Sequence, residues 1–95
     1  MTFTDDQLVR ALGSIVCMIL RPQNGVTEVV KGRVDDYDYQ SVSLLGDSAV
    51  LDPLQGPDPQ ETGSETGSET KVSRLGPNEA RTIRFIEVKD ARWSR

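Results

Sequence analysis

Histidine is missing from the 95-residue sequence, and cysteine occurs only once. Because histidine is the most common general acid and base, its absence argues against an enzyme. Cys17 has no second cysteine to pair with, so we expect it to be a small core residue in a reducing compartment. The sequence has neither a phosphate-binding glycine loop nor zinc-ligand spacing, so we expect no cofactor and no metal.

Long apolar runs and positive charge are also scarce. No run approaches the roughly 20 apolar residues that cross a bilayer, so we expect no membrane span. The acidic segment Met1–Asp6 lacks the positive charge of a signal peptide, which favours the cytoplasm or the nucleus. The net charge of −4 predicts no broad attraction to nucleic acid, while a local basic patch stays compatible with it.

Apolar residues make up 36% of the chain, which is a lean supply for a domain of this length. A short chain with a small core often obtains part of its burial from a partner. We therefore expect residues 1–95 to form a single domain that associates with other chains.

The local pattern predicts one helix followed by strands. Thr4 and Gln7 form a capping box, so we expect a helix from Asp5 to Leu12, within the segment 4–13. Runs rich in β-branched residues, separated by turn residues such as an Asn-Gly pair, indicate the strands. The expected strands span 14–20, 26–37, 42–51, 71–75 and 82–89.

Residues 53–70 differ in composition from the rest of the chain. Three prolines precede the tetrapeptide Gly-Ser-Glu-Thr, which occurs twice. Because residues 55–71 offer no apolar side chain, burial cannot offset the entropy cost of ordering them. We therefore predict a flexible acidic insertion at 53–70, with an engineered linker as the alternative interpretation of the repeat.

Two stretches show a family resemblance. From Gly32 to Asp38, a glycine, an apolar residue, an aromatic residue and an aspartate follow one another at set spacing. The second stretch begins at Leu75-Gly76. Both resemble the motifs of the Sm/LSm family, and the similarity in order and spacing covers about three quarters of the chain. Further apolar matches are Val42, Leu44, Leu45, Ile83, Ile86 and Val88.

The resemblance implies a mainly β fold. Its form would be a small five-stranded bent barrel with a short N-terminal helix and a long acidic loop between strands 3 and 4. The first motif would occupy 14–52 and the second 71–90, with a tail at 91–95. Apart from the family, Gly32 lets a long strand bend, and Asp38 can accept hydrogen bonds from turn amides. Another small barrel, such as an SH3-like one, is the alternative.

The RNA-binding pattern of the family is incomplete here. RNA-binding members have an asparagine four residues after the motif aspartate, and this chain has Val42 there. The arginine of the second motif is matched by Arg81, but no glycine follows it. Any RNA contact would therefore involve Tyr39, by stacking, and Arg81, by charge. For Tyr39, the alternative is an ordinary, partly exposed surface residue.

Sm-like proteins with incomplete RNA pockets serve as scaffolds, and the resemblance suggests two such groups. One is the Gemin-type subunits of the SMN complex, and the other is the auxiliary Sm-like subunit of the NatC N-terminal acetyltransferase. This chain resembles the second group at Gln7-Leu8, Leu44–Gly46 and Ile86–Val88. The resemblance thus implies a non-catalytic subunit of a ribonucleoprotein or a ribonucleoprotein-assembly complex, acting in snRNP assembly and RNA processing. A NatC scaffold and an RNA-contacting LSm ring subunit are the alternatives.

The last predicted strand is the expected assembly edge. Because side chains alternate along a strand, Ile83 and Phe85 would lie on one face and Ile86 and Val88 on the other. A strand that is apolar on both faces is normally covered on both, and a small barrel covers only one. The expected partners are therefore other Sm-like or scaffold chains in a hetero-oligomer, with RNA as the second candidate ligand.

Overall fold

The computed structural model describes residues 4–59 and 69–93, and the fold is mainly β. A short N-terminal helix precedes six strands, all of which belong to one sheet. A second short helix follows the third strand, and a 3₁₀ helix separates the last two strands. In chain order the elements are α1 (Asp5–Ala11), β1 (Ile15–Leu20), β2 (Val26–Tyr37), β3 (Ser41–Leu45), α2 (Ser48–Leu51), β4 (Glu69–Arg74), β5 (Ala80–Arg84), the 3₁₀ helix (Phe85–Glu87) and β6 (Val88–Trp93).

Helix α1 begins at the predicted capping box. The Thr4 hydroxyl accepts a hydrogen bond from the Gln7 amide at 3.2 Å, and Gln7 Oε1 accepts one from the Thr4 amide at 3.1 Å. These bonds satisfy backbone donors that the start of a helix leaves without partners. Leu8 and Ala11, which lie three residues apart on the helix, are both buried. The predicted helix is therefore confirmed, although it ends at Ala11 and Leu12, expected on its apolar face with Leu8 and Ile15, is 43% exposed.

Strand β2 is the central strand of the sheet. The path β5-β3-β2-β1-β6 is antiparallel throughout, and β4 joins it by pairing with β2 in parallel. One edge of β2 pairs with β1. Along its other edge the partner changes, because Lys31 is opposite Arg74 of β4 whereas Arg33 is opposite Leu45 of β3. Gly32 is the residue at which β2 passes from one partner to the other.

A side chain at Gly32 would collide with two leucines. A Cβ atom there would lie 2.9 Å from Leu44 Cβ and 3.0 Å from Leu75 Cδ1. A larger residue would therefore force one of these leucines to shift. The bulge in the pairing of β2 with β3 lies further along, between Val34 and Asp36.

The core lies against one face of the sheet, to which every strand except β4 contributes. Alternate residues of β1 and β2 point into it, as expected for strands with one face buried. The loop residue Leu75 and the helix residue Ala11 complete it. The buried members are Ala11, Val16, Met18, Leu20, Val30, Val34, Val42, Leu44, Leu75, Ile83 and Val88.

The other face of the sheet is covered by residues 47–59, which we call the strap. Cys17 Sγ donates a hydrogen bond to the Pro57 carbonyl at 3.0 Å, and Lys31 Nζ donates one to the Asp52 carbonyl at 3.1 Å. Both donors belong to fully buried side chains. The strap thus satisfies these two buried donors, as burial requires, whereas the buried Thr27 hydroxyl of β2 has no hydrogen-bond partner among the described residues.

The strap corrects the prediction of a flexible acidic insertion at 53–70. Pro59 is among the fully buried side chains, and a Cβ on Gly56 would come within 2.7 Å of Ile15 Cγ2. Asp58 also pairs with Arg74 at 3.6 Å. The premise that this segment buries nothing is therefore wrong for 53–59. Residues 60–68 lie outside the described part of the chain, and β4 begins at residue 69.

The third predicted strand, at 42–51, is wrong in its second half. Gly46 comes so close to the Gly76 carbonyl that a Cβ atom would have no room, and the strand ends before it. Asp47 then accepts a hydrogen bond from the Val50 amide at 2.8 Å and caps α2. An aspartate that caps three residues ahead favours a helix start over a continuing strand.

The predicted last strand, at 82–89, is wrong as a single element, and so is the total of five strands. The 3₁₀ helix divides this stretch into β5 and β6, and β6 includes part of the predicted tail. The expected alternation of faces fails as a result. Ile83 and Val88 are both in the core, whereas Ile86 between them is 73% exposed.

We expect replacement of Gly32 by valine to destabilise the protein by about 3 kcal/mol, because the side chain overpacks a site already filled by Leu44 and Leu75. Gly32→Ala should cost less, since it adds one carbon. Urea denaturation measures both losses. The control is Ala80→Val at an exposed position of β5, which should change stability by less than about 0.5 kcal/mol. Equal stability of Gly32→Val and the parent chain would contradict this account of β2.

Candidate functional site

A shallow groove lies where the β2–β3 turn meets the 3₁₀ helix. It measures about 340 Å³ and is lined by Tyr39, Gln40, Arg84, Phe85 and Ile86. The Phe85 amide donates a hydrogen bond to the Gln40 carbonyl at 2.8 Å, which ties the two segments together. Tyr39 is 87% exposed at the rim. The groove therefore combines exposed aromatic and aliphatic surface with one guanidinium group.

Asp38 shapes the turn that presents Tyr39. Its carboxylate accepts hydrogen bonds from the Gln40 amide at 2.7 Å and from the Ser41 amide at 2.8 Å. These are the turn-amide bonds that the sequence predicts for Asp38. The Gln40 amide, followed by that of Ser41, lowers the pKa of the carboxyl group, because both donors stabilise its ionised form.

Tyr39 and Arg81, the two predicted RNA contacts, line different cavities. Arg84 takes the place expected for Arg81, because β3 and β5 pair with Ser41 opposite Arg84, at the turn. Sequence reasoning overlooked Arg84. The signal that identifies it is register, since the strand residue opposite the start of β3 must lie beside the turn.

Arg81 lies instead in a second, polar cavity of about 340 Å³. There its guanidinium group donates to both oxygens of Glu28, at 2.8 and 2.7 Å. The Ser73 hydroxyl donates to the same carboxylate at 2.8 Å. Glu28 and Arg81 come from β2 and β5, which are not neighbours in the sheet. This bidentate pair therefore links two strands that share no backbone hydrogen bonds.

The pair determines the charge state of Glu28. The Arg81 hydrogen bonds, opposed by burial and assisted by Ser73, lower its pKa from 4.5 to about 2. A carboxylate with so low a pKa is a weak proton acceptor at neutral pH, so Glu28 is poorly suited to act as a general base. In the polar cavity, the charges of Glu28 and Arg81 therefore neutralise each other. Within residues 4–59 and 69–93, no group of three or more potential metal ligands comes together.

Cys17 is fully buried, as the sequence predicts, but it lies beneath the strap, on the face of the sheet opposite the core. Burial raises the pKa of its thiol to about 11, and the nearby Lys31 only partly offsets this effect. The thiol is therefore protonated at neutral pH and is a weak nucleophile.

The four predicted assembly residues have different environments. Ile83 and Val88 belong to the core and Phe85 packs partly against it, which leaves Ile86 as the exposed member. Strands β5 and β6 end the path of the sheet, so in the described part of the chain one edge of each has no strand partner. Ile86 lies in the connection between these two open edges.

We expect the Glu28–Arg81 pair to show a coupling free energy of about 1 to 3 kcal/mol in a double-mutant cycle. The variants are Glu28→Gln, Arg81→Gln and the double replacement, each measured by urea denaturation at neutral pH. Asp35→Asn, an exposed carboxylate on the same strand, is the matched control. Additive single effects would contradict the link between β2 and β5.

The same pair predicts a loss of stability in acid. Because Glu28 has a lower pKa in the folded chain than its ordinary 4.5, its contribution is complete above about pH 4.5 and is lost as the pH falls towards 2. We expect the Glu28→Gln chain to lose less stability than the parent chain across this window. Parallel stability curves for the two chains would contradict the assignment.

Cys17 should react slowly with a disulfide reagent at about pH 8 in the native protein, since its thiol is buried and protonated. Denaturation in guanidinium should restore rapid reaction, and absorbance of the released thiolate measures both rates. Equal rates in the native and denatured chain would show that the strap does not protect this side chain.

Comparison with known proteins returns no match. No protein-family model, no curated protein and no solved structure matches this chain. None of the helices among the described residues is long and apolar enough to cross a membrane. The features that bear on function are therefore the groove at Tyr39, the Glu28–Arg81 pair and the open edges of β5 and β6.

Proposed function

We propose that the chain is a non-catalytic, Sm-like subunit that assembles edge to edge with other chains in a ribonucleoprotein or in a complex that assembles ribonucleoproteins. The observation that supports this most is the pair of open edges at β5 and β6, joined by a connection that exposes Ile86. Open edges present backbone donors and acceptors to solvent, and a strand of another chain can pair with them.

The Sm-like part of the proposal is supported by the order of elements. A helix and three strands precede the segment 53–68, as the resemblance implies, and three strands follow it, one more than the resemblance implies. The first-motif residues occupy positions suited to their roles, with Gly32 at the change of partners along β2 and Asp38 in the turn after it. The parallel pairing of β4 and the strap are features that the resemblance does not imply.

Glu28 and Cys17, two groups that could carry chemistry, are both engaged within the fold. Glu28 is engaged by Arg81 and Ser73, and Cys17 is covered by the strap. An ion pair and a covered thiol of this kind suit a structural role.

Direct contact with RNA is the second candidate function, and the groove favours it. Exposed Tyr39 provides a stacking surface beside Arg84, whose guanidinium group suits a phosphate. A uridine oligonucleotide titrated by fluorescence anisotropy tests this function. Affinity that weakens with salt and is lost in both Tyr39→Ala and Arg84→Ala would support it, because phosphate contacts release counterions.

We expect Ile86→Asp to remain folded and to lose partner chains, because Ile86 is exposed between the two open edges. Ile83→Asp is the contrasting variant, and it should unfold, since it places a charge in the core. Circular dichroism measures folding, and mass spectrometry of the native complex identifies the chains that co-purify. Retention of every partner by a folded Ile86→Asp chain would contradict assembly through this surface.

A further inference from the structure

Charge is unevenly distributed between the two open edges and the rest of the chain. The sequence has 11 basic and 15 acidic residues in all. Residues 80–93, which contain the open edges of β5 and β6, hold four of the basic and two of the acidic residues, so seven basic and 13 acidic residues lie elsewhere. The edge segment is thus net positive within an acidic protein, and it remains so by one charge when Arg81, which Glu28 neutralises, is left out. Its charged residues are Arg81, Arg84, Glu87, Lys89, Asp90 and Arg92.

The positive charge is at the surface of these edges. Arg84 on β5 and both Lys89 and Arg92 on β6 have exposed side chains. Of the two carboxylates, Asp90 is half-buried and accepts a hydrogen bond from the adjacent backbone amide at 2.8 Å. Glu87 is exposed and lines the polar cavity with Arg81, so it is the one exposed carboxylate beside three exposed cations. A strand added to either edge would therefore meet mainly cationic side chains.

We propose that the strand which pairs with β5 or β6 belongs to a different protein and displays carboxylates along its edge. This inference rests on the edge-to-edge function proposed above and specifies the partner. Opposite charges on paired strands are stabilising, and like charges directly opposite each other are destabilising. An acidic edge strand is therefore the complement of both open edges.

The same charges disfavour a second copy of this chain as the partner. Pairing β5 of one copy with β6 of another would bring Arg84 towards Lys89 and Arg92. The resulting repulsion opposes growth of a homo-oligomer and selects a partner of other composition.

RNA would also be attracted to these cations, but two features favour a protein strand. The open edges present backbone N–H and C=O groups in a regular row, which another strand can pair and an RNA backbone cannot match. The rest of the chain is acidic, and its field repels phosphates. A protein strand satisfies the edge without bringing a long polyanion across that surface.

Two fluorescein-labelled peptides test the proposal. They share one alternating, β-branched pattern, with glutamates at the polar positions of one peptide and lysines at those of the other. Fluorescence anisotropy measures their binding to the full chain at about 50 mM and about 500 mM salt. We expect the acidic peptide to bind about ten-fold more tightly at low salt and the difference to shrink at high salt.

Charge-reversed chains identify the edge involved. Arg84→Glu alters β5 and Arg92→Glu alters β6, and at least one of them should abolish or reverse the preference for the acidic peptide. Arg10→Glu makes the same change in the exposed last turn of α1 and should leave the preference unchanged. Circular dichroism establishes that each variant is folded before binding is compared.

The outcomes distinguish a failure of this inference from a failure of the edge-to-edge assembly on which it rests. If the two peptides bind equally well, the proposal of edge pairing is retained, but the proposal of an acidic partner is overturned. Should neither peptide bind, both the inference and edge pairing are overturned. A preference that persists in both Arg84→Glu and Arg92→Glu would also overturn the inference, because the charges of these edges would not be its cause. A uridine oligonucleotide that binds more tightly than the acidic peptide and depends on Arg84 would replace the protein partner with RNA.

Discussion

Along one of its two edges, strand β2 pairs with two different strands in succession. β4 pairs with it as far as Lys31, and β3 pairs with it from Arg33 onward. Glycine fits between these two residues without strain, because Leu44 and Leu75 occupy the space that a side chain would need. The sheet therefore depends on close packing at one residue, and the core on one face and the strap on the other are both built around this strand.

The organisation around β2 leaves β5 and β6 at the ends of the sheet. The Glu28–Arg81 pair links β2 to β5 through side chains, although the two strands share no backbone hydrogen bonds. The charges of Glu28 and Arg81 thus find partners within the chain, whereas one edge of β5 and one edge of β6 have no strand partner among the described residues. The proposed assembly follows from this contrast, and the surplus of cations beside the edges specifies what kind of strand would pair with them.

Much of the secondary structure was predictable because its signals are local. The bounds of β2 match the predicted strand, and the capping box of Thr4 and Gln7 is formed as expected. The prediction of secondary structure failed where contacts with distant residues determine where an element ends. The approach of Gly76 ends β3 before Asp47 caps a helix, and the Phe85 amide bonds to Gln40, far away in sequence, where a continuous strand was expected. Of the two groove residues proposed to contact RNA, the sequence identified Tyr39 but not Arg84.

The sequence by itself determined the mainly β class, the N-terminal helix, the turn at Asp38 and the buried thiol of Cys17. Each depends on periodicity, capping or composition within a few neighbouring residues. Only the tertiary structure decided the parallel pairing of β4, the burial of Pro59, the engagement of Arg81 by Glu28 and the exposure of Ile86 between two core residues. These features join residues that are far apart in the chain, and local preferences do not specify which distant groups will meet, because packing and charge pairing are settled only when the sheet forms.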